Sequence, residues 1–215
     1  MSFMNEYIQY GCGLSAPPGW RNFDASPTLR TQRLPLLGGV FRSSLFSNKG
    51  FLIFPINVEY GDIVRGLPVE PSTCTAIYAS HILEHLALAD FRVALRNTLS
   101  YLKQDGTFRL VVPDLRFLAE RYLNSKDPQA ALQFMDDSKL GFKERAHGPI
   151  MKLRSLLGNS AHLWMWDYDS LELELKDAGF REIRRVQFGD SQDPKFSEVE
   201  HPERWQDCLG IECRR

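Results

Sequence analysis

The strand-like run Glu6-Tyr7-Ile8-Gln9-Tyr10 breaks at Gly11-Cys12-Gly13, and a second short apolar run, Trp20 to Phe23, stops at Asp24. Glycines let backbone N–H groups approach a ligand where any Cβ would clash. A carboxylate at the end of the next strand can accept both hydroxyls of a ribose. This order of features suits a nucleoside-type cofactor.

Along the rest of the chain, short β-rich runs alternate with helical periodicity, the pattern of a mostly parallel sheet with helices on both faces. Strands are expected at Glu6 to Tyr10, Trp20 to Phe23, within Phe51 to Val58, and at Thr73 to Ala79, Thr107 to Val112, Arg184 to Phe188 and Leu209 to Cys213. Leu83, Leu86, Leu88, Phe91, Ala94, Leu95, Leu99 and Leu102 keep a helical period that stops at Lys103-Gln104-Asp105-Gly106. Further helices are expected at Leu115 to Leu123, with Asp114 as N-cap, and at Asp169 to Ala178, ended by Gly179. One or two short helices fit Ser26 to Gly50. Two connections depart from the alternation: Leu14 to Pro18 is short and proline-bearing where a crossover helix would sit, and Gly189 to Arg204 is polar and loop-like. Residues 124–166 show helical pieces without a strand and read as an insertion over the sheet edge, a lid over the ligand cleft.

The chain has 215 residues, of which 43% are hydrophobic and 25% charged, enough for one sizeable core and one domain, 1–215. A net charge of −1 provides no global field for nucleic acid, so a nucleic-acid partner is not expected. Cys12, Cys74, Cys208 and Cys213 are too few and too scattered for a disulfide framework and form no C-x-x-C pair, the usage of a cytoplasmic protein. No membrane-spanning run is present and none of the N-terminal residues reads as an export signal.

Six blocks then fall in one order: Gly11-Cys12-Gly13; Gly19-Trp20 with Asn22 and Asp24; Gly61-Asp62-Ile63 with Leu67-Pro68; Ile77 to His85; Leu102-Lys103 and Gly106 with Val111-Val112-Pro113-Asp114; and Asp177-Ala178-Gly179-Phe180. Together they resemble the class I S-adenosylmethionine-dependent methyltransferases, more narrowly small bacterial methyltransferases of the type 11-like pattern. The resemblance implies an α/β, Rossmann-like sheet of seven strands with an antiparallel last strand, and S-adenosyl-L-methionine as cofactor. It implies that Tyr10, Gly11, Cys12 and Gly13 border the methionine moiety and that Asp24 binds the ribose diol. Asp62 would accept from the adenine amino group, Ile63 would pack on its ring, and Ser80 and His81 would border the sulfonium and the acceptor. Two positions depart from the family pattern: Gln9 stands where an aspartate is usual, and Ser15 replaces a third glycine. An active enzyme acting on a small-molecule or sugar-type acceptor, at oxygen or nitrogen, is expected; a non-catalytic module binding the same ligand and an NAD(P)-binding reductase are the alternatives.

Several candidates carry two readings. Asp24 can also cap the segment starting at Ala25-Ser26, Asp62 can serve its own turn, and Ser80 is expected to cap the helix that follows it. Proton removal from the acceptor suits a histidine, so His81 or His162 is expected as base, with Asp114 orienting. His81, Glu84 and His85 share one helical face with spacing that could ligate a divalent ion, but no metal is expected, because the same string is widespread in relatives that look metal-free. His147 reads as a turn residue; Arg30, Arg33 and Arg42 could clamp an anionic acceptor or form a solvated face. The oligomeric state is not legible.

Overall fold

In strand β1 (Glu6–Tyr10) the side chains alternate, sending Ile8 and Tyr10 to one face of a sheet and Gln9 to the other. The computed structural model describes residues 6–33, 53–141, 143 and 161–215. Its other strands are β2 (Arg21–Asp24), β3 (Val58–Tyr60), β4 (Cys74–Ser80), β5 (Leu102–Pro113), β6 (Arg181–Val186) and β7 (Cys208–Arg214). They form one seven-stranded sheet in the order β3-β2-β1-β4-β5-β7-β6. All neighbours run parallel except β7, which is antiparallel to both β5 and β6. The order reverses between β1 and β4, and the carboxyl ends of strands at such a switch point open a crevice.

Five helices accompany the sheet among the described residues: α1 (Pro27–Gln32), α2 (Leu88–Tyr101), α3 (Leu115–Asn124), α4 (Ala130–Ser138) and α5 (Tyr168–Ala178). Local chemistry sets their ends. Asp114 caps α3 by accepting from the amides of Arg116 and Phe117, and Asp167 and Ser170 close a capping box on α5. Gly179 ends α5 at φ +103°, a conformation an L-side chain resists. None of the described helices is long and apolar enough to cross a membrane. The insertion contributes α4; residues 34–52, 142 and 144–160 lie outside the described residues, and with them the rest of the expected 26–50 helices.

The two faces of the sheet are covered differently. Ile8, Tyr10, Phe23, Ile77, Phe108, Leu110 and Ile211 pack under Phe91 and Leu95 of α2 and Leu171 and Leu175 of α5, a core of fully buried aliphatic and aromatic side chains. The opposite face presents Ala76, Tyr78 and Val111, and beside the β3 edge Leu29 of α1 packs on Val58. Because the Leu14–Pro18 connection holds no helix, the centre of this face would be open, which a parallel sheet does not tolerate. The connection between β6 and β7 covers it: Phe196 and Val199, with Trp205, pack there against Trp20 and Tyr78. This stretch is ordered by two 3₁₀ turns, Pro194–Glu198 and Pro202–Arg204, each starting on a proline whose ring presets the backbone.

One helix begins later than its apolar period suggests. Leu83–His85 form a single 3₁₀ turn, Leu86 is extended, and α2 starts only at Leu88. His81, at φ +51°, turns the chain back into the protein, so Leu83 and Glu84 bury their side chains without belonging to a continuous helix. Ser80 accordingly has no helix to cap.

Candidate active site

At the carboxyl end of β1 the chain makes a corner with Gly11 at φ +64° and Gly13 at φ +57°. A Cβ on Gly11 would stand 2.6 Å from Ile82, so the corner closes only on glycine. Three bonds fix it. The Cys12 amide donates to the Phe23 carbonyl at 3.1 Å, the Gly13 amide donates to Asp24 Oδ2 at 2.9 Å, and Asp24 Oδ1 accepts from the Ser26 amide at 2.7 Å. Asp24 therefore caps and points at the corner together, and each of its oxygens retains a lone pair. The amide of Gln9 donates to the Ser15 carbonyl at 2.8 Å and to Asn22 Oδ1 at 2.6 Å. A carboxylate at position 9 would repel both acceptors, which explains why an amide holds this particular turn.

A cavity of about 290 Å³ opens above the corner, bounded by Tyr10, Gly11, Cys12, Gly13 and Ser80 from the strand ends. Its far wall comes from the β6–β7 connection, chiefly His201, Glu203 and Arg204. Arg204 donates to the hydroxyl of Ser80 at 3.0 Å and to its carbonyl at 2.6 Å, and His201 Nε2 lies 3.2 Å from the Ser15 hydroxyl. Ser80 is thus an anchor for this wall rather than a helix cap. A tight glycine corner, amides fixed by a strand-end carboxylate, and both signs of charge across a cleft fit a zwitterionic nucleoside ligand. Asp62 and Ile63 do not line this cavity: Asp62 holds its own turn through the Val64 amide at 2.9 Å, and Ile63 is buried in the core, its carbonyl bound by Asn97 at 2.7 Å.

Beyond His81 lies a second cavity of about 260 Å³, lined by His81, Pro113, Cys208 and His162 and, on a strongly polar side, by Arg121, Asp136, Asp137 and Lys139. His81 donates from Nε2 to the Arg204 carbonyl at 2.8 Å and turns Nδ1 toward Glu84 Oε1 at 3.3 Å. Burial opposes charging this ring, but the Cys208 sulfur, the Glu84 carboxylate and the Arg204 carbonyl outweigh it and raise its pKa to about 9. His162, only 5% exposed, is held below the ordinary histidine value by burial, against the pull of Glu84. It reaches the site because its amide donates to the Lys139 carbonyl and the next two amides, of Leu163 and Trp164, donate to the Glu84 carbonyl at 2.8 and 3.1 Å.

The two predicted histidines are therefore brought together, both facing the fully buried Glu84. Asp114 is not brought to them. One of its oxygens caps α3 and the other pairs with Arg185, so it orients neither ring. Among the arginines, Arg33 spends its guanidinium on the carbonyls of Pro55 and Val58, and Arg30 lies over the Tyr60 ring. Arg42 and His147 fall outside the described residues. Sequence reading missed His201, Glu203, Arg204 and Cys208; the signal available was Phe196, Val199 and Trp205 interrupting a charged stretch.

The model of a methyltransferase domain family matches residues 19–184. Among solved structures, a SAM-dependent methyltransferase of Thermotoga maritima superposes with a TM-score of 0.51 at 15% identity, covering 97% of this chain and 81% of that one. A SAM-dependent methyltransferase of Archaeoglobus fulgidus gives 0.47 at 14% identity, over 98% and 86% of the two chains. No curated protein is significantly similar in sequence. With its seven-stranded sheet, its antiparallel β7 and a family match over most of its length, this chain belongs to the methyltransferase domain family.

Proposed function

We propose that the chain transfers a methyl group from S-adenosyl-L-methionine to an oxygen or nitrogen of a small-molecule or sugar-type acceptor. The observation that carries this reading is the Asp24 carboxylate tied to the amide of Gly13, a residue that borders the first cavity. When bound, the cofactor supplies a methyl group on a sulfonium that needs no further activation, so the protein contributes chiefly proximity and alignment. Asp24 holds the ribose diol with its remaining lone pairs. Glu203 and Arg204 meet the ammonium and carboxylate of the amino-acid end, which offsets the absence of an aspartate at position 9.

The second cavity holds the acceptor, and its polar wall suits a hydroxylated or charged molecule. His81, its pKa raised to about 9, is charged near neutral pH, with Nε2 bound to the Arg204 carbonyl and Nδ1 turned toward Glu84, so this ring has no lone pair to offer. His162 lines the same cavity, and burial holds its pKa below the ordinary histidine value, so the ring is neutral and has a lone pair to offer. It receives the acceptor's proton.

Calorimetry with S-adenosylhomocysteine, S-adenosylmethionine and NADH tests the reading. Both adenosyl ligands are expected to bind and NADH not to, and Asp24→Ala should weaken S-adenosylhomocysteine at least about tenfold, a loss of ~1.4 kcal/mol. Equal binding by Asp24→Ala overturns the cofactor site. His162→Ala should lower turnover by about a hundredfold or more with cofactor binding intact; binding without turnover on any acceptor would leave a ligand-binding module.

A further inference from the structure

Glu84 is 0% exposed, and among the described residues neither of its oxygens has a hydrogen-bond partner. A buried carboxylate in that state is costly unless a cation compensates it. His81 approaches Oε1 only, at 3.3 Å, and leaves Oε2 alone. On the other side, His85 Nε2 and His162 Nε2 stand 4.0 and 3.9 Å from the same Oε1. The two imidazoles are not stacked: their rings meet edge to face with centroids 5.0 Å apart. One ligand atom from each of Glu84, His85 and His162 lies within 4.8 Å of the other two.

We propose that Glu84, His85 and His162 form a binding site for one divalent transition-metal ion, of the kind that Zn²⁺ and Co²⁺ represent. Two imidazoles and one carboxylate are the donor set that such ions prefer over Mg²⁺ or Ca²⁺. Ligands of a tetrahedral zinc at ~2.1 Å stand about 3.4 Å apart, so the two nitrogens need to close on Oε1 by about half an ångström, and no pair of ligand atoms needs to close by more than about 1.4 Å. The tautomer of His85 is already set. Its Nδ1–H donates to the Ala161 carbonyl at 3.0 Å, the outer bond a metal-bound histidine characteristically makes, and this leaves Nε2 facing Glu84 at 4.0 Å. The backbone that delivers His162 is bonded to Glu84 itself, so the three ligands are held as one unit. His81, whose Nε2 is held by the Arg204 carbonyl, is no ligand; the trio differs from the His81-Glu84-His85 set that sequence spacing suggests.

Since His162 also lines the second cavity, the ion sits at the wall of the acceptor site with its remaining positions toward it. The inference rests on the functional reading above and deepens it: with Nε2 of His162 on the cation, the ion acidifies an acceptor hydroxyl, whose proton passes to water instead of to the ring.

The test uses the full chain, freed of metal by a chelator, with no cofactor or acceptor present. Titration with Zn²⁺ by calorimetry should find one ion per chain, and Co²⁺ should give the visible absorption of a low-symmetry nitrogen and oxygen site. His85→Gln, at a partly exposed position, and Glu84→Gln should each weaken Zn²⁺ by about a hundredfold or more, with melting in chelator reporting whether the variant folds. Failure of the wild-type chain to bind, or unchanged affinity in folded His85→Gln, overturns the proposal. If Glu84→Gln does not fold, His85→Gln decides. A chain that binds S-adenosylhomocysteine but no Zn²⁺ defeats this inference alone; one that binds Zn²⁺ but not S-adenosylhomocysteine defeats only the cofactor reading.

Discussion

One face of the sheet is covered by two regular helices, the other by a connection with no α-helix in it. Under α2 and α5 the buried residues recur at helical spacing, and polar contacts stay outside, as with Arg92 and Glu174, which pair between the two helices at 2.6 Å in an exposed position. Under the β6–β7 connection the cover includes a guanidinium. Arg109, 0% exposed, meets Glu200, Glu212 and Asp190, with the Trp205 ring 4.8 Å from its centre and the Gln187 carbonyl at 2.7 Å. Apolar periodicity holds the first face; a satisfied charge network holds the second. The second face also supplies the cavity wall, so on that side stability and ligand binding share the same residues.

The comparison breaks most visibly at the arginines. Arg109→Ala would strand up to three carboxylates around a buried hole and should cost about 3–5 kcal/mol, measured as a fall in the urea midpoint; Arg92→Ala, at the exposed pair, should leave that midpoint unchanged within error. A small effect of Arg109→Ala would mean that the connection is not anchored through it. Next come the phenylalanines that seal each face, Phe91 under α2 at 0% exposure and Phe196 in the connection at 1%. Each should lose about 3–5 kcal/mol on change to alanine. If Phe196→Ala loses much less, the connection is a loose flap and the two faces differ in kind. The smallest of the expected losses is at Gly210, where a Cβ would stand 2.3 Å from the Trp205 ring and 2.9 Å from the Val186 carbonyl. Gly210→Ala should cost about 1–3 kcal/mol through overpacking and raise the fluorescence of displaced Trp205, while leaving α2 and α5 undisturbed.

Much of the first face was legible. Glu6 to Tyr10, the β4 run and the Tyr168–Ala178 helix lie within a residue or so of their expected bounds, because alternation and 3.6-residue spacing report directly on burial. Asp114 as a cap was equally readable, since capping is decided within four residues. The break at His81 to Ala87 was not, because the apolar period of Leu83, Leu86 and Leu88 is the same whether the residues sit on one helix or on a turn driven into the core. The β6–β7 connection was illegible for a related reason. Its acidic residues Asp190 and Glu200 look solvated until Arg109, far away in sequence, is seen to pair with them.

What the sequence determined alone is what short-range sterics and periodicity govern: the glycine corner, the strand-end Asp24, the order of strands and helices, and the identity of the histidines. Only the tertiary structure decided which of these meet. It removed Asp114 from the histidines, placed Arg204 and His201 over the corner, and set Glu84 between three imidazoles from two distant segments. Contacts of that kind depend on how chain ends dozens of residues apart pack on a shared sheet, and no local pattern encodes the distance between them.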